Sequence, residues 1–289
     1  MTDTTFATRK HQVVSSLVET LDSERRDKSP KGFIDAPILE LIHTINKHPH
    51  YYTTSSCSGR VAVYCENRHN DDTSTNKGGI WLYVTHDPVT IPEQADNDWI
   101  VKLFFGTDRR VVFSNSSHNT SVSPQEIMHK QMIYFKFEPL ILHVEAETQE
   151  ACMRLNGLAY QAGYQNSGIT ASRTREMLAI RSTHKIDTPI GYVDTKSGDI
   201  KCLVDPTYLF LLLHMSNAKF TQNAERMKAF EEMMLKEVEV KDAVSVAETK
   251  EERRERKRKE GLAKAATVSN NKEKINTDVD LADLSLEQY

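Results

Sequence analysis

Cysteine is scarce in this 289-residue chain: Cys57, Cys65, Cys152 and Cys202 are the only four, and no two form a C-x-x-C pair. Thiols so few and scattered argue against a disulfide scaffold and a structural zinc ribbon, and they fit a reducing, cytoplasmic compartment. Glycine is sparse too, and no G-x-G occurs anywhere, which removes the phosphate-cradling turn of Rossmann folds. The P-loop spacing G-x-x-x-x-G-K-[ST], the G-x-S-x-G elbow and H-E-x-x-H are all missing, the last despite 11 histidines. Long hydrophobic runs are absent as well. The longest, residues 209–213, falls far short of the ~20 residues of a membrane span. The opening MTDTTFATRKHQ holds no apolar run for a signal peptide. Nor is there an excess of positive charge. At a net −4, any contact with nucleic acid must come from a local basic patch.

What is present is a polar chain, with 38% hydrophobic and 27% charged residues and a mean hydropathy of −0.54. Those values point to a folded part diluted by solvated tail. Residues 6–26 carry Val13, Val14, Leu17, Val18 and Leu21 at helical spacing. DKSPKGFIDAP breaks that helix, and Ile38, Leu39, Leu41, Ile42 and Ile45 predict a second one ending before Pro49. Tyr-, Thr- and Val-rich runs at 51–57 and 61–66 read as two strands split by Ser58-Gly59-Arg60, and residues 80–85 as another. Residues 90–106 are ambiguous, although Trp99, Ile100, Leu103 and Phe104 form one helical face. Residues 67–78 and 115–125 read as loops.

Residues 132–137 and 140–146 are expected as two strands around Glu138-Pro139, the proline marking a bend or an edge. A helix over 147–162 ends at Gly163, and further strands are expected at 168–172, 177–181 and 190–193. Pro206 opens a long helix running to about residue 238. Beyond it, KEERRERKRKE sets seven Lys/Arg against four Glu with nothing apolar. The expectation is one α+β domain over 6–238, a mixed sheet of five to seven strands flanked by helices, with no Rossmann fold. A charged tail over 239–289 would be disordered or an extended helix.

Several segments carry candidate chemistry. Thr53 to Arg60 (TTSSCSGR) offers five hydroxyls, a thiol, a conformationally free Gly59 and an arginine able to grip a carboxylate or phosphate; it reads equally as a Ser-rich hairpin turn. Cys57 and Arg60 are too close together for a cysteine-phosphatase cradle. In WLYVTHDPV, His86 follows a strand and Asp87 is placed to polarise it, or the sequence is simply an Asp-Pro turn. Lys136 and Glu138 share a strand face and need each other, a ligand or solvent. YQNSG, AIRSTH and the last helix contribute Asn166, Ser167, Arg181, Asn217, Asn223 and Arg226, residue types also common at surfaces and caps.

Taken in order, KSPKG with Asp35, SSCSGR, W-x-x-x-x-HDPV, FKFEP with ILHV, NSGI, IRST and the helix bearing Asn217, Asn223 and Arg226 resemble the tRNA wybutosine-synthesizing protein 3 family across nearly all of residues 6–230. The resemblance implies an S-adenosyl-L-methionine-dependent methyltransferase, not built on the Rossmann fold. Its substrate is the tricyclic 7-(3-amino-3-carboxypropyl)-4-demethylwyosine, 3′ of the anticodon in tRNA(Phe), methylated at N4. It implies the tRNA(Phe) anticodon loop as partner, admits contact with other enzymes of the wybutosine pathway, and implies no metal and no membrane. For the proton that must leave N4, His86 is the candidate catalytic base, an unperturbed imidazole with a pKa of about 6.5 being suited to proton transfer around neutrality. The cofactor- or substrate-binding set is then Lys28, Ser55, Ser56, Cys57, Ser58, Gly59, Arg60, Asp87, Lys136, Glu138, His143, Asn166, Ser167, Gly168, Arg181, Ser182, Asn217, Asn223 and Arg226. Cys57 is expected to pack rather than attack, since methyl transfer to nitrogen needs no covalent step. The chain departs from the family around residues 115–125 and in its tail. A non-catalytic tRNA-binding protein and an RNA enzyme using Cys57 covalently are the competing readings.

Overall fold

In the computed structural model, the described residues are 5–22, 34–67, 79–113, 122–170, 174–245, 254–255 and 258–259. Lys28 therefore lies outside them, as do most of the expected loops at 67–78 and 115–125 and nearly all of the tail. The chain divides into residues 1–235 and residues 236–289; the account below concerns the first unit, and of the second only the end of the last helix and two isolated helical pairs are described.

The elements in order are α1 (Phe6–Asp22), a short 3-10 turn (Ala36–Ile38), α2 (Leu39–Lys47), β1 (Tyr51–Cys65), β2 (Ile80–Thr85) and α3 (Asn97–Phe105). There follow β3 (Val111–Phe113), α4 (Pro124–Met128), β4 (Gln131–Ala146), α5 (Gln149–Gln161) and β5 (Gly168–Thr170). The chain continues through β6 (Glu176–Arg181), β7 (Ile186–Val193), β8 (Ile200–Cys202) and α6 (Pro206–Ser245). The strands make one eight-stranded sheet in the order β2-β1-β4-β7-β8-β3, with β6 also on β4 and β5 on β6. All pairs are antiparallel except β3 with β8, so the sheet is mixed and the fold α+β. β3 and β8, three residues each, lie beyond the strands the sequence pattern picks out, and they raise the count above five to seven.

Two expected breaks are absent. Ser58-Gly59-Arg60 does not separate two strands, nor does Glu138-Pro139: β1 and β4 are single strands of 15 and 16 residues paired along their length. What changes at Pro139 is the face that is buried. Ile133, Phe135 and Phe137 are core residues, then Leu140, Leu142 and Val144, a shift of one residue in a period of two. The two sets belong to separate cores on opposite faces of the sheet. One joins Val61 and Val63 to α3 and the first half of α6; the other joins Tyr51 to α2, α5 and the second half of α6.

The free edge of β4 is divided at the same place. β7 pairs with residues up to Phe137 and β6 with residues from Ile141, leaving a notch between them. α6 passes from one core to the other across this notch, with Phe220 in the first and Met227 in the second. Asn223, midway, is buried. Its Nδ2 donates to the Ser58 carbonyl at 2.7 Å and its Oδ1 accepts from the Leu140 N–H at 2.9 Å, at the pair the β1–β4 ladder skips.

Candidate active site

β2 ends at Thr85, opposite Val61, so the edge of β1 before Val61 lacks a neighbouring strand on that side. Asp35 supplies acceptors there. It stands at the entry to the Ala36–Ile38 turn but does not cap it, and its Oδ2 instead accepts from Ser58 N at 2.8 Å and Ser58 Oγ at 2.9 Å. His86, the first residue past β2, places Nδ1 3.2 Å from the same oxygen and 3.7 Å from Cys57 Sγ. The loop that carries His86 is fixed by α6: Asn217 accepts from Val89 N at 2.9 Å and donates to Val89 O at 2.8 Å. The partner of His86 is thus Asp35. Asp87, expected in that role, is exposed, and its backbone N–H closes a turn onto Thr85.

Burial disfavours the charge on His86, but the hydrogen bonds to Asp35 and Cys57 outweigh it and push its pKa up to about 9. Because that value lies above the ordinary 6.5, ionised His86 stabilises the fold fully below about pH 6.5, and this contribution is lost as pH rises through about 9. With Nδ1 turned to Asp35 and Cys57, Nε2 makes no hydrogen bond among the described residues.

From Cys57 an open polar strip runs along one face of the sheet. A bulge at Thr54 sets Ser55 opposite His143, and Ser55 Oγ lies 2.8 Å from His143 Nδ1. Arg181 extends the line, its guanidinium 3.4 Å from His143 Nε2, while Ser167 Oγ accepts from the Arg181 N–H at 3.2 Å. Burial, with Arg181 beside it, holds the His143 pKa below its usual value, so this imidazole is neutral where His86 is charged. Arg181 is exposed and has no carboxylate partner among the described residues. Gly168 borders the strip through its pairing with Ala179. At its end α1 closes over the sheet, Arg9 binding the buried Glu145 and Phe6 packing on Tyr52.

The other predicted residues are held elsewhere. Ser56 alternates to the opposite face, and Ser58 is committed to Asp35. Gly59 has φ +121°, and a Cβ there would come within 3.0 Å of the Glu138 carbonyl, so the position requires glycine. Lys136 and Glu138 do not pair with each other: Lys136 reaches Asp187 at 2.9 Å and Glu138 binds Arg60, each across to a neighbouring strand. Arg226 ties α6 to Gly163 O, Ser182 Oγ and His184, and Asn166 is exposed. Asp35 appears in the sequence motif without an assigned role. Its only local signal is an acidic residue before Ala-Pro, and the Ser58 edge it serves forms only in the fold.

Asp35, Cys57 and His86 also have metal-ligand spacing, with donor atoms within 4.8 Å of one another. Asp35 Oδ2, however, already takes two hydrogen bonds from Ser58 besides facing His86, which leaves it a proton acceptor rather than an open ligand. A cleft of about 370 Å³ lined by Phe6, Lys10, His11, Val14, Pro49 and Glu147 includes none of the motif residues. No helix among the described residues is long and apolar enough to cross a membrane.

Residues 8–236 match the family model described as Methyltransferase TYW3. The tRNA wybutosine-synthesizing protein 3 of Saccharomyces cerevisiae is 36% identical over 265 residues, covering 86% of this chain and 91% of that protein. The tRNA wybutosine-synthesizing protein 2/3/4 of Arabidopsis thaliana is 37% identical over 230 residues, and there the match spans only 20% of the relative. Among solved structures, the PH1069 protein of Pyrococcus horikoshii superposes with a TM-score of 0.53 at 26% identity, over 79% of this chain and 95% of that one. With the family model spanning most of the chain and the yeast relative aligned nearly end to end, the chain belongs to the methyltransferase TYW3 family.

Proposed function

We propose that this protein is an S-adenosyl-L-methionine-dependent tRNA methyltransferase acting on N4 of 7-(3-amino-3-carboxypropyl)-4-demethylwyosine, 3′ of the anticodon of tRNA(Phe). The observation that carries the chemistry is the Asp35–His86 pair at the head of an open strip ending in Arg181. Asp35 accepts from His86 Nδ1 and so directs Nε2 outward as the site that takes a proton. Removing the N4 proton frees the nitrogen lone pair for attack. Asp35 is the positioning residue and His86 the catalytic one.

The donor set fits an amino-acid ligand. Cofactor and substrate side chain each carry a carboxylate, and Arg181, with no acidic partner among the described residues, would hold one of them bidentately. Ser55 and the neutral His143 offer short polar contacts beside it. When bound, S-adenosyl-L-methionine supplies the methyl group. Residues 6–238 are the unit to which this activity is assigned.

Calorimetric titration should show binding of S-adenosyl-L-methionine. Nucleoside mass spectrometry should show one methyl group added when tRNA(Phe) bearing the demethylated tricyclic base is supplied. Cofactor binding with an unchanged base would overturn the enzymatic reading in favour of a tRNA-binding protein.

A further inference from the structure

The sheet face turned away from the Cys57–Arg181 strip carries a second cluster that the methylation chemistry does not use. Tyr64 of β1 and Trp81 of β2 stand opposite each other, their ring centroids 4.8 Å apart at 51°. The Arg60 guanidinium lies 4.6 Å from the Trp81 ring centroid. Lys136 Nζ lies 5.2 Å from the Tyr134 ring and 6.0 Å from that of Tyr64. Trp81 is 44% exposed and Val84, on the same face, 47%. A large aromatic left this open beside two cations is not explained by packing.

Charge and shape select among occupants. Arg60 is paired with Glu138 and Lys136 with Asp187, so the cluster has little net field for a phosphate backbone or an anionic lipid surface. What it presents is flat: aromatic rings and one guanidinium plane spread across three adjacent strands. Unpaired nucleobases are bound in this way, stacked on aromatic and arginine planes over a β-sheet. The position fits as well. β2 is the edge strand, and it runs from Trp81 directly to His86, about 16 Å at strand spacing, the length of about five stacked nucleotides.

We infer that Tyr64, Trp81 and Tyr134, with Arg60 and Lys136, form the stacking surface for the unpaired bases flanking the modified nucleotide. The RNA crosses the β2 edge, so that one base reaches His86 while its neighbours lie on this face. This rests on the RNA-methylating function proposed above.

The chain has two tryptophans, and Trp99 stacks on Phe210. In a Trp99→Phe variant, Trp81 is the sole tryptophan and can be excited selectively over the tyrosines. A short single-stranded ribo-oligonucleotide should quench it saturably, and the same strand annealed to its complement should quench it much less. In the full chain, Trp81→Ala should raise the KM for tRNA by about tenfold or more, the loss expected of one stacked base. Trp81→Phe should recover most of that, with kcat and cofactor binding within about twofold of wild type in both. Equal quenching by duplex, or an unchanged KM in an active Trp81→Ala protein, overturns the stacking surface and leaves the methyltransferase reading intact. A dimer that dissociates in Trp81→Ala would give the face to a second copy and overturn it also. A wild-type protein that neither binds nor methylates tRNA removes both.

Discussion

Replacing His86 with alanine should lower the methylation rate by roughly two to four orders of magnitude, the range for loss of a positioned general base. The supporting readout is pH. With a His86 pKa of about 9, kcat/KM of the wild-type protein should climb about tenfold per unit from pH 6 towards 9 and then level. Asp35→Asn keeps an oxygen for Ser58 but removes the carboxylate that raises the His86 pKa, so the rising limb should move to lower pH and its plateau should fall. A His86→Ala protein with near wild-type rates, or an unmoved limb in Asp35→Asn, would show that the proton leaves by another route.

The largest stability effect is expected at Asn223. Asn223→Ala deletes two hydrogen bonds and leaves the Ser58 carbonyl and the Leu140 N–H unpaired in a buried site. Each buried group left without a partner costs about 1–3 kcal/mol, so the loss for the two should be on the order of 2–6 kcal/mol. For a domain of this size that lowers the melting temperature by roughly 5–15 °C. Differential scanning calorimetry of both proteins is the measurement, and a melting temperature within 2 °C or so of wild type would show that the amide is dispensable. Asn223→Asp retains only the acceptor for Leu140 and introduces a buried charge, so it should rescue little.

The long strands show how far the sequence could be read. Residues 132–137 and 140–146 read as two strands because Glu138-Pro139 suggested a bend or an edge, whereas the structure shows a one-residue slip in burial between Phe137 and Leu140. A one-residue slip has two physical solutions: a turn between strands, or one strand that buries first one face and then the other. Only the second leaves a notch for α6, and nothing local in FKFEPLILHV distinguishes them. The same holds for SSCSGR, where small residues and glycine suggested a bend, whereas Gly59 is needed because the Glu138 carbonyl and the Asn223 amide approach its backbone. Helices α2 and α5 fell where the sequence put them, and α6 starts at Pro206 as expected but runs on to Ser245, past the end expected near residue 238. The site was legible as residue types and not as pairings. The motifs named His86, but its partner Asp35 enters from a distant segment, and Asn217 and Asn223 proved to bind backbone rather than stand free for ligand.

The passage of α6 across the notch bears on how the molecule comes apart. Each core alone resembles a small layered domain, and two such units joined by a shared sheet would ordinarily be free to melt one after the other. Here a single rigid rod contributes Leu209, Leu212 and Leu213 to one and Met227, Phe230 and Met234 to the other. Losing either set frees half of a continuous helix and withdraws the Asn223 amide from both strands. Unfolding is therefore coupled across the sheet: the two halves share one transition, and damage to α2 or α5, packed on the face opposite the strip, is transmitted to the loop that holds His86.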